Sequence, residues 1–161
     1  MENLTTHWRP IGKIANKALA IVRRAGPLGD EILACAIPDD TGAIKGWRPL
    51  GGSIEFGEQA AETVLRELGE EIFATARIIK QIDVVENIYD HHGIRGHEVV
   101  FLFDVELIDP GLAKDDQFVL IEDNGSRNLA GWVPLSDFEA GTTRLFPDGL
   151  LSRLSPPNPC A

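Results

Sequence analysis

Residues 51–74 read GGSIEFGEQAAETVLRELGEEIFA, and the pattern of this stretch decides the fold. On a helix that turns about 100° per residue, residues 58–72 separate into two faces. One face is apolar and predicts contact with a core; it carries Ala61, Val64, Leu65, Leu68 and Ile72. Glu67, Glu70 and Glu71 lie on the other, because residues three and four apart stack on one side of a helix. The stretch therefore predicts an amphipathic helix with carboxylates along one side.

Two features of this acidic face oppose helix stability. Glu67 and Glu71 are like charges one turn apart, and carboxylates in the last turn oppose the helix dipole. Between Ile54 and Glu71 there are six acidic residues and one basic residue. A divalent cation would remove both conflicts, because Mg²⁺ binds carboxylate oxygens together with substrate phosphates. Each conflict costs only about 0.2–0.5 kcal/mol, so a solvated acidic face without a ligand stays a second interpretation.

The glycines before the helix give the stretch a more specific meaning. A double glycine lets a loop approach a ligand closely, although alone it is more often a turn. The spacing is the stronger signal, because seven positions resemble the Nudix box, Gly-x5-Glu-x7-Arg-Glu-(apolar)-x-Glu-Glu-x-Gly-(apolar), without a gap. These positions are Gly52, Glu58, Arg66, Glu67, Leu68, Glu70 and Glu71. The flanks WRPL at 47–50 and GWVPL at 131–135 also resemble the family, so the resemblance spans nearly the whole chain.

This resemblance implies the Nudix fold, an α/β (α+β) domain built as an α/β/α sandwich with a mixed sheet. We expect a single domain over residues 1–155 and a flexible C-terminal tail over 156–161. The hydrophobic pattern independently predicts a hairpin of strands 18–22 and 32–37, and later strands at 78–89, 98–108 and 131–134. Residues 98–108 are apolar at their centre on both faces, which is typical of a strand covered on both sides. Two short helices are expected, one capped by Ser136 and one over 147–154.

The chain departs from the box at its last glycine, where Phe73 stands. A glycine there lets the chain leave the helix in a left-handed conformation. Phenylalanine in that conformation costs about 1–2 kcal/mol, so we expect the helix to run longer or to exit differently.

The resemblance also implies a chemistry, hydrolysis of a phosphoanhydride bond in a nucleoside diphosphate linked to another moiety. It carries over Glu67, Glu70 and Glu71 as catalytic ligands of Mg²⁺, with Mn²⁺ as a substitute, and the backbone carbonyl of Gly52 as a further ligand. Arg66 with Glu58 would be a structural ion pair. Metal-activated water would attack phosphorus, with no covalent enzyme intermediate.

The general base stays open between three positions. It is either a glutamate of the box, or Glu122 in the loop with Asp123 before Trp132, or Glu98 at the start of a long strand. Relatives in the family place an extra glutamate in a loop like that of Glu122, which therefore joins the catalytic candidates.

Other residues outside the box are weaker candidates. His91, His92 and His97 lie in a turn-rich segment that favours a mobile loop over a zinc site. Tyr89 is a candidate for stacking on a nucleobase, whereas Trp132 is expected in the core. Three arginines are candidates for phosphate contacts: Arg23, Arg24 and Arg48.

Composition bounds the partners. The 161 residues carry a formal net charge of −10, which disfavours a nucleic-acid polymer because its backbone is bound by clustered Lys and Arg. No apolar run is long enough to cross a membrane, and the N-terminus lacks the pattern of a signal peptide, so the expected location is cytoplasmic. Cys35 and Cys160 are expected to be reduced. The expected partner is a small nucleotide derivative, with a homodimer possible.

Substrate choice is not written in the box. No signature of the NADH or ADP-ribose pyrophosphatases is present, so the subfamily stays unassigned among hydrolases of nucleoside triphosphates, dinucleoside polyphosphates or nucleotide sugars. The alternative from another class is a catalytically silent Nudix-fold module that senses nucleotides. An acidic interaction protein without a site is a third possibility.

Overall fold

The computed structural model describes residues 10–122 and 125–154, and within them the chain forms eight strands, three α-helices and one 3₁₀ turn. The strands are β1 Ile14–Gly26, β2 Gly29–Pro38, β3 Ile44–Pro49, β4 Gly51–Ser53, β5 Thr75–His91, β6 Ile94–Asp109, β7 Gln117–Ile121 and β8 Arg127–Pro134. The helices are α1 Ala60–Ile72, α2 Leu135–Glu139 and α3 Leu150–Leu154, and the 3₁₀ turn is Gly111–Lys114. The expected tail at 156–161, Cys160 and Asp123 lie outside the described residues.

The strands form one mixed sheet in the order β5-β6-β1-β2-β8-β7, with β3 paired to β2 and β4 paired to β1. β1 and β6 run parallel, and the other strand pairs are antiparallel. A hydrophobic core lies on each face of this sheet. One packs beneath α1, and the other packs beneath α2 and α3. The α/β/α sandwich expected for the chain is therefore confirmed.

β6 shows why both faces are apolar. Its residues Phe103 and Val105 belong to the core beneath α1, while Val100 and Leu102 belong to the opposite core. Successive side chains of a strand point to opposite faces, so a strand that contributes to two cores must be apolar on both. The prediction of a doubly covered strand at 98–108 is confirmed, and the strand is longer than expected.

β1 and β2 separate as they leave their hairpin turn, and this separation opens the cleft of the molecule. The two strands pair only through residues 23–26 and 29–32. Beyond this point β1 pairs with β4 through residues 17–19, and β2 pairs with β3 through residues 34–38. The segment 44–53 therefore crosses from one half of the sheet to the other, and Leu50 accepts a backbone hydrogen bond from Ala20 at 2.8 Å.

α1 begins close to its predicted position, with Gln59 as the cap. The backbone N–H of Gln59 donates to the carboxylate of Glu62 at 2.9 Å, as in a capping box. The buried stripe is rotated from the predicted one, since Thr63 is fully buried while Leu65 is 37% exposed. This rotation sinks the side of the helix that carries Glu67 and Glu71 toward the sheet.

α1 ends in the left-handed conformation that we did not expect for Phe73. Phe73 has φ 57° and ψ 28°, and its backbone N–H donates to the carbonyl of Gly69 at 3.1 Å. The expectation of a different exit was therefore wrong. Two neighbours hold Phe73 in this strained backbone conformation. Ala74 is buried, and Gly111 packs so closely that a Cβ there would lie 1.9 Å from the carbonyl oxygen of Ile72. Packing therefore fixes the backbone at the end of the helix. Phe73 adopts the left-handed conformation despite its free-energy cost, and the residue is 72% exposed.

The turn between β5 and β6 is much tighter than the sequence indicated. Only His92 and Gly93 connect the strands, and both have positive φ, as a type I′ hairpin turn requires. His91 is the buried end of β5 and His97 lies within β6, so the interpretation of a mobile histidine loop was wrong.

Three further differences concern short elements. Ser136 lies inside α2, whose N-cap is Pro134, so the predicted serine cap is wrong. The last helix covers only residues 150–154 of the expected 147–154. The sequence did not predict β3, β4 or β7.

Candidate active site

A cleft of about 1100 Å³ occupies the gap between the separating strands, beside α1. Its walls come from β1, β2, β3, β4, α1, β5, β6 and the segment around β7 and β8. It is lined by the carboxylates of Glu67, Glu70, Glu71, Glu98 and Glu122 and by the cations Lys17, Lys45, Arg48, Arg127 and Arg144. Acidic and basic groups therefore share one cavity, although the whole chain is acidic.

Gly52 holds Glu67 by having no side chain. A Cβ at Gly52 would lie 2.1 Å from Oε1 of Glu67 and 2.4 Å from its Cδ. The glutamate carboxylate therefore rests directly against the backbone of β4, and Gly52 itself lines the cleft. The glycine strand and the acidic helix of residues 51–74 thus meet in space.

Arg66 connects the helix to the preceding loop. Its Nε donates to Glu58 at 2.7 Å, and its other nitrogens donate to the carbonyl of Ser53 at 3.2 Å and to Glu67 and Glu70 at 3.1 Å each. The hydrogen bond from Arg66 lowers the pKa of Glu58 to about 2. Glu58 and Arg66 therefore form an ion pair, and the same guanidinium neutralises two carboxylates of the acidic face.

Glu71 is the carboxylate whose environment is unsatisfied. Its Oε2 is buried and has no hydrogen-bond partner among the described residues. Burial, followed by the neighbouring charge of Glu67, raises the pKa of Glu71 to about 8. Burial also raises the pKa of Glu67. Carboxylates that are desolvated beside one another indicate that a positive group belongs between them.

The oxygen ligands of this site are of the kind that a divalent cation binds, but their side chains are not gathered around a single point. Carboxylate and carbonyl oxygens are the ligands that Mg²⁺ takes, and the orphaned oxygen of Glu71 supplies a free one. Within residues 10–122 and 125–154 no three His, Cys, Asp or Glu side chains are gathered around one point. An ion here would therefore complete its shell with backbone, water or phosphate oxygens.

Glu122 and Glu98, the two candidate bases outside the box, occupy different parts of the cleft. Glu122 accepts hydrogen bonds from Asn128 at 2.8 Å and Ser126 at 3.2 Å. It lies close enough to Glu71 for its charge to raise the pKa of Glu71. Glu98 is only 6% exposed and is not at the start of its strand, because β6 begins at Ile94.

The cations of the cleft include one that the sequence did not single out. Lys17 donates to Ser53 at 2.8 Å, and burial, followed by the charge of Arg48, lowers the pKa of Lys17. A lysine directly before the apolar run 18–22 was the available signal. Arg48 lines the same wall, and its guanidinium has no hydrogen-bond or ion-pair partner in the described part of the chain.

The other two arginine candidates lie elsewhere. Arg23 donates to the carbonyl of Leu154, and Arg24 binds Glu31 and Asp116 while it stacks over Trp132 at 4.5 Å. Neither arginine lines the cleft, so the structure does not place them near the predicted phosphates.

The aromatic candidates are separated in the same way. Trp132 donates from its indole N–H to the carbonyl of Ala113 at 2.8 Å and packs against the core, as expected. Tyr89, His91 and His92 line the cleft, and Nδ1 of His92 contacts the carboxylate of Asp40. Cys35 also lines the cleft, where burial raises the pKa of its thiol to about 12.

This three-layer sandwich, whose cleft joins a glycine loop to a carboxylate helix, defines the class of protein. A family model described as the NUDIX domain matches residues 16–154, and the chain belongs to this family. It is accordingly a hydrolase that acts on phosphoanhydride bonds. The predictions of the family and of a hydrolase are confirmed.

Solved structures share the fold at low sequence identity. A MutT NUDIX hydrolase from Burkholderia pseudomallei is 19% identical, with 89% of this chain and 99% of that one covered and a TM-score of 0.55. A NUDIX hydrolase from Nitrosomonas europaea is 18% identical, with 88% and 85% covered and a TM-score of 0.55. The ORF135 protein of E. coli is 21% identical, with 90% and 92% covered and a TM-score of 0.53.

Two searches, one of curated proteins and one of the helices of this chain, gave negative results. A search of curated proteins found no significant match. In the described ranges no helix combines the length and the apolar character that a membrane crossing requires.

Proposed function

We propose that the chain is a Mg²⁺-dependent pyrophosphohydrolase that cuts the phosphoanhydride bond of a nucleoside diphosphate linked to another moiety. The observation that carries this proposal is the buried Oε2 of Glu71, which has no hydrogen-bond partner among residues 10–122 and 125–154 and lines the cleft with Glu67 and Glu70. Nucleoside triphosphates, dinucleoside polyphosphates and nucleotide sugars share the required bond. The small-molecule partner, the cytoplasmic location and a possible homodimer belong to the same proposal.

Glu67, Glu70 and Glu71, together with the carbonyl of Gly52, would hold the Mg²⁺, with Mn²⁺ as a substitute. When bound, the cation supplies charge neutralisation of the diphosphate and a water of lowered pKa. Arg66 keeps Glu67 and Glu70 in place through its hydrogen bonds at 3.1 Å.

The cations across the cleft complete the phosphate site. Lys17 is fixed by Ser53 at 2.8 Å, and Arg48, on β3, lines the same cleft with no competing partner among the described residues. Both would bind non-bridging phosphate oxygens, since a guanidinium and an ammonium are strong donors to phosphate. Their role is to orient the diphosphate against the carboxylate helix.

Glu122 is the base that we propose. Asn128 donates to its Oε1 and Ser126 to its Oε2, which orients the carboxylate while leaving lone pairs for a water molecule. Its charge acts on Glu71, so the two carboxylates lie near each other. Glu122 would accept the proton of the attacking water, and a nucleoside monophosphate would leave with a second phosphorylated product.

The test is a panel of nucleotide derivatives assayed with Mg²⁺ for release of phosphate or monophosphate. Wild type, Glu70→Gln and Glu86→Gln are compared, because Glu86 is an exposed glutamate outside the cleft and serves as the matched control. We expect turnover of one substrate class, loss of turnover in Glu70→Gln, and full activity in Glu86→Gln.

A second outcome of the same assay would contradict the proposed hydrolysis. No turnover on any derivative, with Mg²⁺ giving the same thermal shift in wild type and Glu70→Gln, would reject the hydrolytic proposal. The chain would then be a Nudix-fold module that binds nucleotides without cutting them.

A further inference from the structure

Glu98 is the buried carboxylate of the cleft that the proposed reaction leaves unused. It is 6% exposed on β6, and it lines the cleft with Lys17. Its Oε1 accepts a hydrogen bond from the hydroxyl of Tyr89 at 3.1 Å, and its Oε2 accepts one from Asn87 at 3.3 Å. Within the described part of the chain, each carboxylate oxygen therefore has one donor.

The hairpin of β5 and β6 builds this arrangement through a glycine. Asn87 is directly opposite Glu98, and Tyr89 is opposite Gly96. A Cβ at Gly96 would lie 2.4 Å from Cζ of Tyr89 and 2.7 Å from its hydroxyl oxygen. Because Gly96 has no side chain, the phenol lies across it and reaches the next residue pair. Burial and the charge of Glu98 raise the pKa of Tyr89, so the phenol stays a donor.

The acceptor count of Glu98 indicates the kind of ligand. A carboxylate has about four lone-pair positions, two on each oxygen. Tyr89 and Asn87 fill one on each, so with respect to the described residues one acceptor position remains on each oxygen. Two acceptors side by side suit a group with two adjacent donors, such as the 2′,3′-diol of a ribose or the N1–H and amino edge of guanine. A phosphate, which has no donor, would be repelled.

The position of Lys17 sets the order of groups along the cleft. Lys17 lies on β1, which at this point pairs with β4, carrying Gly52 and Ser53, on one side and with β6, carrying Glu98, on the other. Lys17 therefore lies between the glycine end of the box and Glu98. A diphosphate bound at Lys17 and Arg48 therefore presents its nucleoside, rather than its reacting phosphorus, to Glu98.

We propose that Glu98, held by Tyr89 and Asn87, is a specificity-determining residue that binds the two adjacent donors of the substrate's nucleoside. The proposal rests on the proposed function in one respect, namely that the cleft binds a nucleotide. Without its two donors a ligand leaves a buried carboxylate unpaired, which opposes binding more than a missing apolar contact does.

Equilibrium binding tests this without turnover. The probes are GMP, dGMP and IMP, together with AMP and dAMP, titrated into wild type, Glu98→Gln and the control Glu86→Gln. Glu86 neighbours Asn87 on β5 and points to the opposite face. We expect wild type and the control to prefer the ligand with both donors by about 10- to 100-fold. Glu98→Gln is expected to lose that preference.

The arms distinguish the two sources of donors. A preference for GMP over dGMP and for AMP over dAMP assigns the ribose diol to Glu98. A preference for GMP over IMP, which lacks the amino group, assigns the guanine edge. Equal affinities across these pairs in wild type, or an unchanged preference in Glu98→Gln, overturn the proposal.

Tyr89→Phe and Gly96→Ala test the positioning of Glu98 by a second route. Both are expected to raise KM for the preferred nucleotide while kcat stays near the wild-type value, and unfolding curves check that each variant is folded. A fall in kcat alone contradicts a role in nucleoside binding. Binding discrimination without any hydrolysis would reject only the proposed function, whereas hydrolysis without discrimination would reject only this inference.

Discussion

The substitution Gly52→Ala should remove activity while leaving the fold intact. The new Cβ would lie 2.1 Å from Oε1 of Glu67, so the carboxylate must move by more than 1 Å to reach ordinary van der Waals contact. The atoms displaced are the end of a flexible side chain, and the backbone of Gly52 does not have a positive φ. The fold therefore accommodates the methyl group at little cost, whereas the carboxylate of Glu67, a proposed Mg²⁺ ligand, does not return to its place.

A misplacement of about 1 Å in a catalytic group costs about 100-fold in rate, so kcat/KM of Gly52→Ala should fall by about that factor. The assay is steady-state hydrolysis of the best substrate at several Mg²⁺ concentrations, with thermal unfolding measured beside it. We expect the apparent Mg²⁺ affinity to fall as well, because Glu67 is a proposed ligand.

Gly26→Ala is the matched control for this experiment. A Cβ there would lie 2.3 Å from Cδ of Glu31, which is another glutamate displaced by a methyl group but lies outside the cleft. Its activity should match that of wild type, with some loss of stability from the Arg24–Glu31 ion pair at 2.6 Å. Wild-type activity in Gly52→Ala, or equal inactivation in both variants, would refute the assignment of Glu67.

Three further predictions concern stability and reactivity. Phe73→Gly should stabilise the chain by about 1 kcal/mol, because glycine adopts φ 57° without strain; a lower midpoint in urea unfolding would contradict this. Glu58 has a folded-state pKa of about 2, below its ordinary value of 4.5, so its stabilising effect is complete above pH 4.5 and is lost as the pH falls through 2. The gap in unfolding free energy between wild type and Glu58→Gln should therefore close over that range, and a gap that persists at pH 2 would count against the ion pair. In a Cys160→Ser background, the Cys35 thiol, with its pKa raised to about 12, should react with an aromatic disulfide reagent only after denaturant is added. Fast labelling of the native protein would show that the thiol is accessible.

The sequence predicted the parts of the fold that local pattern controls. The spacing of Glu58, Arg66 and the three later glutamates gave the helix and its acidic face, and the alternation in residues 98–108 gave the doubly covered strand. These features depend on neighbours within a few residues, which periodicity describes directly.

The features that escaped prediction depend on distant contacts. β3 and β4 form by pairing with the edges of β2 and β1 that are exposed where these two strands separate. The residues 44–53 alone do not indicate that separation. Leu65 is exposed because the packing of α1 on the sheet sets the rotation of the helix by a fraction of a turn. Phe73 takes the left-handed conformation because Gly111, 38 positions later, packs against the helix exit.

The same distinction between local and distant contacts decides which candidate site residues can be predicted from the sequence. The glutamates of the box are contiguous on one helix, whereas Lys17, Arg48 and Glu98 come from three different strands that meet only at the cleft. A single charged residue in an apolar strand is a weak signal in any one segment. It becomes informative only when the register of the sheet places several of them together.

The segment 44–53 sets the width of the cleft. Its first half is bonded to β2, and its second half is bonded to β1, with Ala20 and Ile54 donating backbone hydrogen bonds at 2.8 and 3.0 Å. The distance between the two halves of the sheet is therefore set by main-chain geometry, and side chains have little influence on it. Substitutions along the walls can change which groups a ligand meets, but they leave the dimension of the opening unchanged.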